Sequence, residues 1–268
     1  MKTIWLCGMP RSGTSWISQI WDSHPNVRFR LSPLFSYAFK NAVNEDSTSQ
    51  EWNNFLNKVC EARDDFMDQG YRRRDGDYPI FTNKSNTPSH LLIKDTRYHN
   101  LTEAFLENVL DSILLYIVRH PCGAINSWLN CSGEFPKQAN PHDEWLTGNC
   151  RKTGKEEFWG FKDWMTVTQQ YLDMKERYPD RVLIIQYEDI VQKPIKKTEN
   201  MFAFSGLKLH NQTIQFLDYS QDFHNEREYS VFKNKNVIYR WKDELNVEIA
   251  KKIMNSLRGT RLEVFTKC

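Results

Sequence analysis

The 268-residue sequence predicts a single α/β domain spanning 1–268, with a central parallel sheet covered by helices on both faces. Three observations carry that expectation: short apolar runs of strand length, helical stripes between them, and a glycine-bearing loop joining the first run to the first stripe. The strand runs are Thr3 to Cys7, Leu91 to Ile93, Ile113 to Val118 and Val182 to Gln186. Their near-continuous apolarity marks strands buried on both faces, and parallel neighbours need helical crossovers.

The helices follow from the apolar periodicity. Gly13 to Asp22 sets Trp16, Ile17, Ile20 and Trp21 on one face and stops at His24-Pro25, where the proline disfavours helical backbone. Glu51 to Met67, Leu101 to Leu110, Pro121 to Leu129, Glu157 to Arg177 and Val247 to Leu257 carry similar stripes. Between them, Gly70 to His90, Cys131 to Lys155 and Tyr219 to Tyr239 lack periodicity and are rich in turn residues. Loops of that length are often functional, so they are candidates for a substrate-covering lid.

Composition narrows the function. Thirty-six Lys and Arg against thirty-four Asp and Glu give a net charge of +2, so no general cationic field points to nucleic acid or a membrane surface. An anionic ligand must be held by a local site. The longest apolar run, Ile113 to Val118, falls far short of the roughly 18 residues of a membrane span. Met1 to Cys7 lacks the features of a signal peptide, so the expected compartment is the cytoplasm. Cys7, Cys60, Cys122, Cys131, Cys150 and Cys268 show no metal or disulfide spacing and are expected to be reduced, with no metal bound. The Asn83, Asn100, Asn130 and Asn211 sequons are read as chance in such a chain.

The most informative stretch runs from Gly8 through Pro10-Arg11-Ser12-Gly13-Thr14-Ser15-Trp16. It follows a strand and opens a helix, where backbone N–H groups, the helix dipole and the hydroxyls of Ser12, Thr14 and Ser15 converge on an anion. The spacing of Gly8, Gly13 and Ser15 mimics the Walker A pattern, but Thr14 stands where that pattern has lysine. The cation sits instead at Arg11, whose planar fork suits two oxygens of a phosphate or sulfonate.

At these residues the chain resembles sulfotransferases that use 3′-phosphoadenosine 5′-phosphosulfate (PAPS) and release 3′-phosphoadenosine 5′-phosphate (PAP). The arginine form is closer to the carbohydrate, tyrosylprotein and bacterial branches than to the cytosolic small-molecule enzymes. Tyr116-Ile117-Val118-Arg119-His120-Pro121, followed by Ser127, resembles the family segment that grips the 3′-phosphate. Independently of family, Arg119 ends a buried strand and Ser127 lies about two turns into the following helix, so both can face one anion. Ile185-Gln186-Tyr187-Glu188-Asp189 and Tyr239-Arg240-Trp241 are similar to later family segments, and Lys193-Pro194 to the start of a helix ending near Ser205-Gly206-Leu207. The resemblance implies a P-loop-like fold and a cofactor site formed by Arg11, Ser12, Gly13, Thr14, Ser15, Trp16, Arg119, Ser127, Tyr187 and Arg240. Phe29 to His90 and Cys131 to Lys155 match nothing in it.

Sulfuryl transfer also needs charge stabilisation and a proton acceptor. Arg11 is the first candidate for stabilising the transferred group, and Lys94 is a second. The base is open. Thr96 occupies the position of the cytosolic branch's histidine, and Arg30 to Leu34 lacks the other branches' glutamate. Asp95, at the carboxyl end of a predicted strand, is the leading candidate, followed by His99 and His142. Capping or salt bridging beside Lys94 and Arg97 is the other reading of Asp95. The expected acceptor is a hydroxyl or nitrogen of a small molecule or sugar, including bacterial natural products such as polar alkaloid toxins. A P-loop small-molecule kinase and a non-catalytic PAP-binding protein are the rival readings. The oligomeric state is not encoded in any motif.

Overall fold

Period-two alternation in the apolar runs sorts side chains onto the two faces of one parallel sheet. The computed structural model describes residues 1–267, and Cys268 lies outside the described residues. Strands β1 (Lys2–Gly8), β2 (Val27–Leu31), β3 (His90–Asp95), β4 (Ser112–Val118) and β5 (Val182–Gln186) pair in parallel in the order β2-β3-β1-β4-β5. The glycine-bearing loop therefore leaves the central strand between the ends of β3 and β4, where open parallel sheets bind ligands.

The helices are α1 (Thr14–Asp22), α2 (Ser49–Glu61), α3 (Gly70–Arg74), α4 (Thr102–Asn108), α5 (Pro121–Leu129) and α6 (Pro141–Glu144). They continue with α7 (Gly160–Arg177), α8 (Tyr187–Gln192), α9 (Pro194–Ser205), α10 (Asn211–Asp222), α11 (Trp241–Glu244) and α12 (Val247–Leu257). Trp5, Cys7, Leu91, Ile93, Leu114 and Tyr116 share one core with Trp52, Phe105, Trp128, Trp164 and Ile253. Ile4, Leu6, Leu92, Ile113 and Leu115 share the other with Ile17, Trp21, Ile190, Phe202 and Phe216. Much of the tryptophan content is structural, since Trp5, Trp21, Trp52, Trp128 and Trp164 are fully buried.

The sequence pattern concealed β2. Arg28 and Arg30 interrupt its apolar residues, yet Arg30 is buried. Its guanidinium donates to the carbonyls of Val59 at 2.8 Å, Cys60 at 2.9 Å and Ala62 at 2.5 Å, and pairs with Asp68. Those bonds fasten the end of α2, which stops at Glu61 rather than at the expected Met67 because Ala62 turns extended. α10 was also concealed, at the edge of the predicted loop from Tyr219. Its first residues are polar, and His210 caps it by accepting from Gln212 N–H at 3.1 Å. No helix of the described residues is long and apolar enough to cross a membrane.

Burial imposes a pH dependence on this core. His24, His99 and His120 are buried, and loss of hydration lowers them to about 4, about 3 and about 4 from 6.5. The unfolded chain thus takes up their protons first: their contribution is intact above pH 6.5 and is lost as the pH falls toward 4. Each histidine contributes up to about 1.4 kcal/mol per pH unit over that window. Asp95, raised to about 6 by burial, opposes them over part of it. Calorimetric melts should show Tm falling from pH 7 to pH 5; a flat or rising Tm would contradict the neutral buried histidines.

Candidate active site

The loop after β1 is built around close backbone approach. At Gly8 a Cβ would come within 2.8 Å of the Ile117 carbonyl oxygen, and at Gly13, where φ is +82°, it would lie 2.2 Å from the Tyr187 ring. Arg11 also has positive φ, at 67°, a conformation that costs a non-glycine residue about 1–2 kcal/mol. The loop closes on itself through a bond from Ser12 N–H to the Met9 carbonyl at 3.1 Å. The Ser12 hydroxyl is buried without a hydrogen-bond partner.

The strained residue is held from β4. Arg119 donates through Nη1 to the Arg11 carbonyl at 2.8 Å and through Nη2 to the Val237 carbonyl at 3.3 Å. Its own carbonyl accepts from Trp164 Nε1 at 3.1 Å, and its guanidinium lies 5.3 Å above the Tyr187 ring. Arg11 in turn donates through Nε to Ser127 Oγ at 3.3 Å and through Nη2 to the Glu228 carbonyl at 3.4 Å. The three residues expected to grip the two ends of a nucleotide are joined into one network.

These residues line a cleft of about 420 Å³ that also contains Gly13, Thr14, Ser15, Trp16, Tyr187 and Arg240. Trp16 donates to Ser220 Oγ at 2.9 Å and meets the Tyr187 ring edge-on, which makes an aromatic wall beside the loop. Arg240 Nη2 lies 3.4 Å from His224 Nε2. The neighbouring Trp241 stacks on His120 with ring centres 4.4 Å apart.

The five candidates for the chemistry divide. Arg11 and Lys94 line the cleft. Burial lowers Lys94 to about 8 against the opposing pull of Asp95 and Glu134, so its ammonium is only weakly held as a cation. Asp95 is not on the cleft wall: alternation along β3 turns it away from Lys94, and Oδ1 accepts from the backbone N–H groups of Thr96 at 2.9 Å and Arg97 at 3.0 Å. Its geometry is that of a turn cap. His99 is also off the wall, fully buried with Nδ1 2.9 Å from the Tyr171 hydroxyl. His142 lies exposed on α6, outside the cleft.

Other lining residues carried no signal in the sequence. Asn130, Cys131, Glu134, Arg151 and Trp159 come from or beside the segment after α5, and Glu226, Glu228 and Tyr229 from the segment after α10. Both segments were expected to be long loops, but no spacing rule selects a residue within them. Among the described residues no group of His, Cys, Asp and Glu is arranged to hold a metal ion.

A cleft lined by several cations at the carboxyl end of a parallel sheet, floored by a glycine loop and a helix N-terminus, has the features of an anion site. The chain matches the sulfotransferase domain model over residues 1–263 and belongs to that family, whose members transfer sulfonate groups. No curated protein matches it in sequence. A mouse sulfotransferase complexed with PAP is similar in fold, with a TM-score of 0.53 and 13% identity over 98% of this chain and 86% of that one. A sulfotransferase from Alicyclobacillus acidocaldarius gives a TM-score of 0.53 and 14% identity over 100% and 99% of the two chains. The sulfotransferase domain of the curacin biosynthetic pathway gives 0.51 and 16% over 95% and 96%.

Replacing Gly13 by Ala forces a left-handed side chain into the Tyr187 ring and should cost about 1–3 kcal/mol of stability. Ser127→Ala removes one bond at the cleft wall and should cost less than about 1 kcal/mol. Equal losses in denaturant titrations would contradict the tight contact at Gly13.

Proposed function

We propose that the protein transfers the sulfonate of PAPS to a hydroxyl or nitrogen of a polar small molecule or sugar, releasing PAP. The observation that carries the proposal is the meeting of Arg11, Arg119 and Ser127 in one cleft above the Gly8–Ser15 loop. The cleft fits the nucleotide on its own features: Gly13, Thr14 and Ser15 at the α1 N-terminus line it together with the guanidinium groups of Arg11 and Arg119. PAPS supplies the activated sulfonate.

The backbone of Ser12 to Ser15, with the Thr14 and Ser15 hydroxyls, holds the 5′-phosphate at the α1 N-terminus. Arg119 and Ser127 hold the 3′-phosphate, and Trp16 and Tyr187 offer aromatic faces beside the loop. Arg240 adds positive charge from the covering segment. Arg11 orients the sulfonate and stabilises charge on the bridging oxygen, with Lys94 as a second cation.

Acceptor chemistry follows from the wall beyond the loop. Lys94, Thr96 and Arg97 at the end of β3, with Asn130, Glu134 and Arg151 from elsewhere on the cleft, make that wall polar and charged. Such a wall pairs with a polyol and leaves a steroid-like acceptor facing groups it cannot satisfy. The kinase reading is weaker because Thr14 occupies the Walker lysine position.

Calorimetry of Arg119→Ala tests the assignment. Both nucleotides should weaken as the Arg11 loop loosens, but PAP should lose roughly 10- to 100-fold more than adenosine 5′-phosphosulfate, which lacks the 3′-phosphate. Equal losses for both nucleotides would contradict it.

A further inference from the structure

We infer that Glu134, on the segment after α5, takes the proton from the incoming acceptor; the inference rests on the sulfotransferase reading above. A proton acceptor must reach the nucleophile, and Asp95 and His99 lie off the cleft wall. The carboxylates on that wall are Glu134, Glu226, Glu228 and Glu244.

Their hydrogen bonds separate them. Glu228 is spent on the neighbouring turn: Oε1 accepts from Ser132 N–H and Oγ, both at 2.8 Å, and Oε2 from Gly133 N–H at 3.2 Å. Glu244 Oε2 accepts from Asn126 Nδ2 at 2.7 Å and Cys150 N–H at 3.0 Å, tying α5 to the following loop. Glu226 is exposed to solvent. Glu134 differs from all three. Its Oε1 lies 3.6 Å from Arg11 Nη1, while its Oε2 is buried and has no hydrogen-bond partner.

A buried carboxylate oxygen without a donor is costly, and a turn of the side chain into the cleft would let the O–H or N–H of a bound acceptor supply the missing one. The salt bridge to Arg11 sets that oxygen beside the residue expected to orient the sulfonate. The charged and titratable groups around Glu134 are Arg11 from the glycine loop, Lys94 from β3, Cys131 from its own segment and Tyr229 from the segment after α10.

In the step, the acceptor oxygen or nitrogen forms its bond to sulfur as the bond between sulfur and the 5′-phosphate oxygen breaks. The electron pair of the broken bond stays on PAP. The acceptor proton passes to Glu134 Oε2, and solvent removes it after product release. Water in place of the acceptor gives sulfate and PAP by the same route.

The test compares wild type, Glu134→Gln and Glu134→Asp. PAP affinity is measured by calorimetry, and release of sulfate from PAPS is followed from pH 5 to 9, with water as acceptor. All three forms should bind PAP within about threefold. Glu134→Gln should lose at least about 100-fold in sulfate release together with the acid limb of the pH profile, and Glu134→Asp should recover part of both. Weaker PAP binding by Glu134→Gln would mean that Glu134 only anchors Arg11, and a rate within threefold of wild type would remove it as base; either overturns the inference. Wild-type PAP binding with no sulfate release at any pH would overturn it while leaving the donor site standing. Failure of wild type to bind PAP would instead overturn the sulfotransferase reading.

Discussion

The hydrogen bond from Arg119 to the Arg11 carbonyl is the contact on which the site depends. It crosses from the end of β4 to the loop after β1 and ties down a residue in left-handed backbone that would relax if released. Because the same guanidinium lies over Tyr187, whose ring fills the space beside Gly13, the loop is gripped from two sides. An anion-binding loop held in this way loses little freedom on binding, so more of the contact energy appears as affinity.

That arrangement also explains how the cleft tolerates its charge. Arg11, Lys94, Arg97, Arg119, Arg151, Lys233 and Arg240 all line it, in a chain of net charge only +2. Their repulsion is relieved by specific partners: Arg97 pairs with Glu157 at 3.1 Å, Arg11 with Glu134, and Arg119 donates to carbonyls. Burial pulls Lys94 and Lys233 down from the ordinary lysine value, which further reduces the positive load. An anion entering the cleft would raise both lysines again toward the ordinary value.

Much of the fold was legible because apolar runs and turn residues act locally. α5 and α12 run over the spans their stripes predicted, and β1, β4 and β5 lie where the apolar runs placed them to within a residue or so. β2 escaped because its decisive side chain is an arginine whose burial is made possible by carbonyls at the end of α2, a partner that local patterning cannot foresee. That Arg11 and Arg119 line one cleft was foreseeable for a related reason: each follows the carboxyl end of a neighbouring strand. The acceptor side was not. Asp95 looked like a base because of its strand-end position, but one backbone turn consumes its oxygen, and Glu134 reaches the cleft from a loop whose path only the folded chain defines.

A crystal structure of the protein with PAP bound tests the central claim most directly. The account requires the 3′-phosphate between Arg119 and Ser127, and the 5′-phosphate against the backbone of Ser12 to Ser15. A nucleotide bound in the opposite sense, or outside the cleft above that loop, would contradict it.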